Sequence, residues 1–223
     1  AVIFPGWVNI DLDSPVADLH LDLTKSFPFK DSSVSHIFCE HFIEHVTREQ
    51  AVAFLKECYR VLAFDGSIRI TTPSLRFLAS TYISGDKDEW GDLWQPNSKC
   101  QMMNEGMRSW GHQFLYDAEE LARVAGLAGF KSIIFQSYRL SDDEMYMERE
   151  SRPYHNELIL EARKSMRSNF EVDFSAVENN EATWISRREH GGHAVEKDLV
   201  RIELESTARA NLIEAQISHI REI

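Results

Sequence analysis

The segment that most constrains the fold lies at residues 34–73. It reads VSHIFCEHFIEHV, then a helical stretch ending ECYRVLAFDG, then SIRITTP. Val34, Ile37 and Phe38 form a short apolar run that stops at a cluster of carboxylates and imidazoles: Glu40, His41, Glu44 and His45. Val52, Leu55, Tyr59 and Leu62 then recur at helical spacing, Asp65-Gly66 makes a turn, and Ile68 to Thr72 is a second β-type run. Strand, polar cluster, helix, turn and strand make a βαβ unit, which requires a parallel strand pair. In open sheets of this kind ligands bind beyond the carboxyl ends of the strands. The polar cluster sits at such an end, so function is expected there.

The flanks extend the pattern. Residues 7–12 (WVNIDL) read as a strand with Asp11 and Asp13 at its tip, and 18–23 (DLHLDL) as a short extended edge. Residues 26–33 are loop. A helix is expected over 75–83, followed at 84–111 by an irregular insertion punctuated by Trp90, Trp94 and Trp110. Such an insertion is either a lid or substrate loop, or a pad packed on the sheet. Asp117 to Glu120 has the pattern of a capping box, with Leu121, Val124, Ala125 and Ala128 on one helix face and Gly129 as the stop. Residues 131–137 and 157–162 read as strands joined by a charged loop at 141–156, so the pair is expected to be antiparallel.

With 223 residues the chain has room for one α/β domain and an appendage. The domain is expected over 1–164. Residues 165–193 are read as a β-hairpin or linker, with Phe170, Val172 and Phe174 alternating, a turn at Asn179-Asn180 and a return strand from Trp184. Residues 194–223 contain no Gly or Pro and carry an apolar stripe (Leu199, Ile202, Ala210, Ile213, Ile217, Ile220). A helix of that length spans roughly 45 Å. A stripe so long is expected to pair with a second copy, the alternative being a fold back onto its own domain.

A formal net charge of -12 repels phosphate backbones and anionic lipid, so nucleic acid and membrane are poor partners. No run approaches the ~20 apolar residues of a membrane span. The three cysteines, Cys39, Cys58 and Cys100, lack metal-ligand spacing, and free thiols in a reducing cytoplasm are expected.

Three chemistries compete for the polar cluster. An acid at a strand tip, as at Asp11, can hold ribose hydroxyls, and Asp22 with Leu23 can meet an adenine. His41-Phe42-Ile43-Glu44-His45 also spells HxxEH, the inverted zinc-peptidase motif. That motif needs a continuous helix, whereas His41 follows directly on a strand, so a zinc hydrolase stays a minor alternative and no metal site is assigned. In the third case the imidazoles cap the helix start. His112, just ahead of the Asp117 helix, can face the same crevice and, like His45, act as a base near neutral pH.

In order, PGWVNIDL, DLTKSFPF, SVSHIFCEHFIEHV, ECYRVLAFDGSIRITTP, GHQFLYDAEELARVAGLAGF and NELILEARK resemble class I S-adenosylmethionine-dependent methyltransferases. Within them the likeness is to the methyltransferase type 11-like small bacterial branch associated with polysaccharide and glycan biosynthesis. It runs from residue 5 to about 164. It implies a doubly wound, Rossmann-like α/β sheet, S-adenosylmethionine as cofactor, and a sugar, glycan or small-metabolite acceptor methylated on a hydroxyl. By the same likeness Asp11 holds the ribose, Asp22 and Leu23 meet the adenine, and Glu40 and His41 line the methionine end. His45 and His112 lie toward the acceptor. The family's first strand and glycine-rich loop, which precede PGWVNID, have no counterpart in the sequence given. Two expectations follow: a fragment of an enzyme, or a non-catalytic methyltransferase-like scaffold. Ala63-Phe64-Asp65-Gly66 stands where the family commonly has Lys-Pro-Gly-Gly.

Overall fold

The computed structural model describes residues 4–177, apart from 86, 88, 89, 91, 92, 153–155, 167 and 168. It is a mixed α/β fold with a central sheet and helices. The expected βαβ unit is its first half: β3 (Val34–Glu40), α1 (Arg48–Val61) and β4 (Leu62–Thr72). β3 and β4 pair in parallel, with Cys39 opposite Ile70 and Glu40 opposite Thr71. Thr47 starts α1 through a reciprocal capping box with Gln50, a signal overlooked in the sequence. β4 continues directly from α1, and Ile68 and Ile70 bury one face against Phe54, Leu55 and Cys58 of the helix cluster.

The remaining strands complete a five-stranded sheet in the order β3-β4-β6-β5-β7, where β5 is Ser132–Phe135, β6 is Leu158–Arg163 and β7 is Glu171–Asp173. As expected, β5 and β6 are antiparallel; β6 is antiparallel to β4 as well. β7 lies parallel to β5 at the far edge, so the sheet runs on past Lys164. Phe174 stacks on Phe135, with ring centroids 5.3 Å apart, which anchors this segment to the core. The return strand expected at Trp184 and the helix expected over 194–223 lie outside the described residues.

Two stretches differ from expectation. The strands near the start shrink to β1 (Ile10–Asp11) and β2 (Leu19–His20), which form their own parallel ribbon rather than joining the main sheet. Asn9 and Asp18 explain the shape: Asn9 backbone N and side-chain Nδ2 both donate to Asp18 Oδ2, which ties the segment to itself. The insertion at 84–111 is not irregular throughout. It contains α3 (Lys99–Arg108), capped by Ser98 and packed on α2 (Leu75–Ser84). Only Met102 and Gly106 of α3 are buried, too thin a stripe to register as periodicity.

α4 (Ala118–Ala128) packs on α1. Asp117 caps it by accepting from Glu120 N, but Glu120 does not reach back. Its carboxylate binds Arg48 and Arg123 instead, which links the two helices. Gly129 closes α4 with φ 118, and the ring of Tyr59 sits about where a Cβ would project, 3.2 Å away. That ring is itself held between Phe130 and the Lys164 ammonium. Gly129→Ala combines backbone strain with a blocked neighbour, so a loss of about 1–3 kcal/mol in stability is expected by urea denaturation.

On the opposite face of β4, side chains alternate into a polar interior. Arg69 is completely buried and ion-paired to Glu150 and to Glu161, its cross-strand neighbour on β6. Beside it Tyr146 donates to the carbonyls of Ser67 and Ile37. All three cysteines are free thiols; Cys39 and Cys58 are buried, and burial pushes both thiols up, out of the reactive range.

Candidate active site

β3 ends abruptly at His41. Its N–H still donates to Thr71 O in the ladder, but its φ of 51 turns the chain out of the sheet. The turn drops His41 into the interior at the carboxyl ends of β3 and β4. There Nδ1 lies 3.0 Å from Glu44 Oε1, and Nε2 lies 3.5 Å from Glu157 Oε1. Burial alone would discharge this imidazole. The bonds to Glu157 and Glu44 outweigh it and raise the pKa to about 9. Burial likewise pushes the Glu44 carboxyl upward, and the His41 contact more than reverses that, so Glu44 stays ionised.

Residues Ile43–His45 form one 3-10 turn, not an α-helix continuous with α1. The helix that the zinc-peptidase motif requires is therefore absent at HxxEH, and His41 is engaged by carboxylates on both nitrogens. Glu44 is fully buried. Its Oε2 accepts from Thr72 Oγ1 at the end of β4, and its backbone carbonyl accepts from Gln113 N and Phe114 N. Gln113 Nε2 also donates to His45 O at 2.7 Å. Three hydrogen bonds thus clamp the 111–114 strap to the 43–45 turn.

That clamp brings together two residues singled out by sequence. The rings of His45 and His112 are 5.1 Å apart, edge to face. Two successive left-handed residues, Trp110 (φ 57) and Gly111 (φ 84), aim the strap at His45. His112 Nδ1 lies 2.8 Å from Gly106 O, so the proton sits on Nδ1 and the lone pair on Nε2. From His112 an aromatic row extends outward through Trp110, Trp94 and Trp90, with centroid spacings of 5.6, 5.2 and 4.9 Å. Trp90 and Trp94 pack against the small core of Leu78, Met102 and Leu115, whereas Trp110 is 59% exposed.

The expected cofactor residues are arranged differently. Asp11, at the tip of β1, accepts from Asp13 N and Ser14 N, both on Oδ1, which holds its carboxyl below the usual range. Asp22 accepts from Thr24 N and Oγ1, again on Oδ1, with the same effect. In each case these bonds fall on Oδ1 and not on Oδ2. Leu23 packs against the core beside Asp22. Glu40 is engaged on both oxygens: Oε1 accepts from Ser151 N and Oε2 from Ser151 Oγ, so the 151–152 segment occupies its carboxylate. Sequence reasoning passed over Thr72 and Glu157, since an isolated Thr and a lone Glu ahead of a strand carry no signal.

Comparisons with known proteins bear on the front of the chain. The methyltransferase domain family matches residues 9–70, which include Asp11, Asp22, Leu23, Glu40, His41 and His45. No curated protein sequence matches. Solved structures similar to this chain include a SAM-dependent methyltransferase from Thermotoga maritima (18% identity, 66% of this chain and 63% of that one, TM-score 0.39). Another is a SAM-dependent methyltransferase from Archaeoglobus fulgidus (16% identity, 70% and 74%, TM-score 0.41). A third is an O-methyltransferase family protein from Burkholderia thailandensis (14% identity, 66% and 35%, TM-score 0.41). The chain spans less than two thirds of the Thermotoga and Burkholderia chains.

Removing the buried cation leaves Glu44 and Glu157 facing each other. His41→Ala is therefore expected to cost about 3–5 kcal/mol in urea denaturation. Glu40→Gln, whose partners are solvent-accessible, should cost about 1 kcal/mol or less.

Proposed function

We propose that the chain is an S-adenosylmethionine-dependent methyltransferase acting on a hydroxyl of a sugar, glycan or small metabolite. The observation that carries this reading is the pairing of His45 with His112 at the carboxyl ends of β3 and β4, inside or facing the segment matched by the methyltransferase family. The cofactor, when bound, supplies a methyl group already activated on a sulfonium, so the protein's work is positioning and proton transfer. Asp11 would take the ribose hydroxyls on Oδ2; Asp22 and Leu23 would meet the adenine. Glu40 and His41 would border the methionine end, with Glu40 released from Ser151. His112, its lone pair on Nε2, or His45 would accept the hydroxyl proton while the methyl carbon–oxygen bond forms and the carbon–sulfur bond breaks.

The engagement of Glu40 by Ser151 favours a second reading, a methyltransferase-like scaffold that binds no cofactor. Calorimetric titration with S-adenosylhomocysteine separates the two. Saturable binding, weakened ~10- to 100-fold by Asp11→Asn, is the expected outcome; absence of heat with a folded chain would leave the scaffold.

The same reading extends to setting and assembly. Among the described residues no helix is long and apolar enough to cross a membrane. A cytoplasmic role in polysaccharide biosynthesis suits the acceptor class. Self-association through residues 194–223 is proposed from their apolar stripe. Light scattering should give a multiple of the chain mass that falls to the monomer when 194–223 is deleted; a monomer in both cases would refute it.

A further inference from the structure

We propose that Glu44, His45 and His112 form a mononuclear site for a divalent transition-metal cation, distinct from the ligand set that the HxxEH motif would dictate. One ligand atom from each of the three lies within 4.8 Å of the others. Bonds of ~2.1 Å from imidazole nitrogen or carboxylate oxygen put tetrahedral ligand atoms ~3.4 Å apart, so the widest spacing closes by up to ~1.4 Å through an inward rotation of the imidazoles. His45 has the freedom to make it, since its side chain is one-third exposed, whereas Glu44 is fixed.

Three features make this a built site rather than a chance cluster. First, both ligands of known tautomer or charge carry the outer hydrogen bonds that metal ligands use. His112 gives Nδ1–H to Gly106 O, and Glu44 accepts from Thr72 Oγ1 and from His41. A carboxylate has about four lone-pair directions, and these two bonds leave room for a metal. Second, a buried carboxylate already faces one imidazole: Glu44 Oε1 lies 3.8 Å from His45 Nε2. Third, the strap bonds from Gln113 and Phe114 to the 44–45 backbone hold His112 opposite His45 without a metal, lowering the ordering cost of binding.

The trio is two imidazoles and one carboxylate on one side of the ion, which leaves the other positions open. His41, a ligand in the zinc-peptidase pattern, here orients the ligand carboxylate instead. The inference rests on the methyltransferase reading for its use: an acceptor hydroxyl would take an open position, be acidified there, and lose its proton to water as its oxygen forms the bond to the methyl carbon and the sulfur–carbon bond breaks. In that form the two imidazoles would hold the ion, and the base role proposed for them would belong to the metal-free protein.

The test is titration of Co2+ into chelator-treated full-length protein, followed by visible absorption and by calorimetry. The expected result is one equivalent bound with a d–d band, weakened about 100-fold or more by His45→Ala and by His112→Ala. His36→Ala, which lies outside the trio, should bind as wild type. Both ligand imidazoles are only half-buried, and circular dichroism of the variants confirms that they fold. No saturable binding, or binding that survives both ligand variants, overturns the site. S-adenosylhomocysteine titrated into the same preparations separates the two proposals. Cofactor binding without metal removes only the site, and metal binding without cofactor removes only the methyltransferase reading.

Discussion

Glu44 is the residue on which the rest converges. Its carboxylate meets the end of β4 at Thr72 and the end of β3 at His41, and its carbonyl takes two N–H groups of the 111–114 strap. A fully buried carboxylate survives only when its partners supply what water would. Here they do so from three separate parts of the chain. The same bonds that make Glu44 tolerable therefore fix where two strands stop and where the strap crosses them.

The sheet shows the same economy of charge. β4 sends apolar residues to the helices and Ser67, Arg69 and Thr71 to the other side, so a sheet that would ordinarily be apolar on both faces carries a buried guanidinium. Glu150 and Glu161 neutralise it, and Tyr146 closes the space beside it. Replacing Arg69 alone leaves both carboxylates in low dielectric without their cation.

The parts legible in the sequence were those governed by local rules. The βαβ unit showed through its apolar runs, although Asp65-Gly66, expected as a turn, lies inside β4. There Asp65 takes a left-handed φ of 65 and the pairing with β3 shifts register. α4 showed through Asp117 and Gly129, and the antiparallel β5–β6 pair through its loop. α3 was hidden because it buries little, and β1 and β2 came out shorter because Asn9 and Asp18 bind each other. At the site, His45 and His112 could be named but not paired, since the clamp that joins them runs through backbone groups of Glu44, Gln113 and Phe114. Glu157 was invisible for a different reason: only the reversed direction of β6 sets it beside His41.

That reversed strand has a consequence for the order of events in synthesis. Both buried cations of the early sheet, His41 on the β3 end and Arg69 on β4, take a carboxylate from β6 or its leading residue, Glu161 and Glu157. A nascent chain that has emerged only as far as α4 holds these two positive groups with part of their counter-charge still unmade. The first half of the protein is thus a half-neutralised ledge, and the late arrival of one short strand is what lets it close.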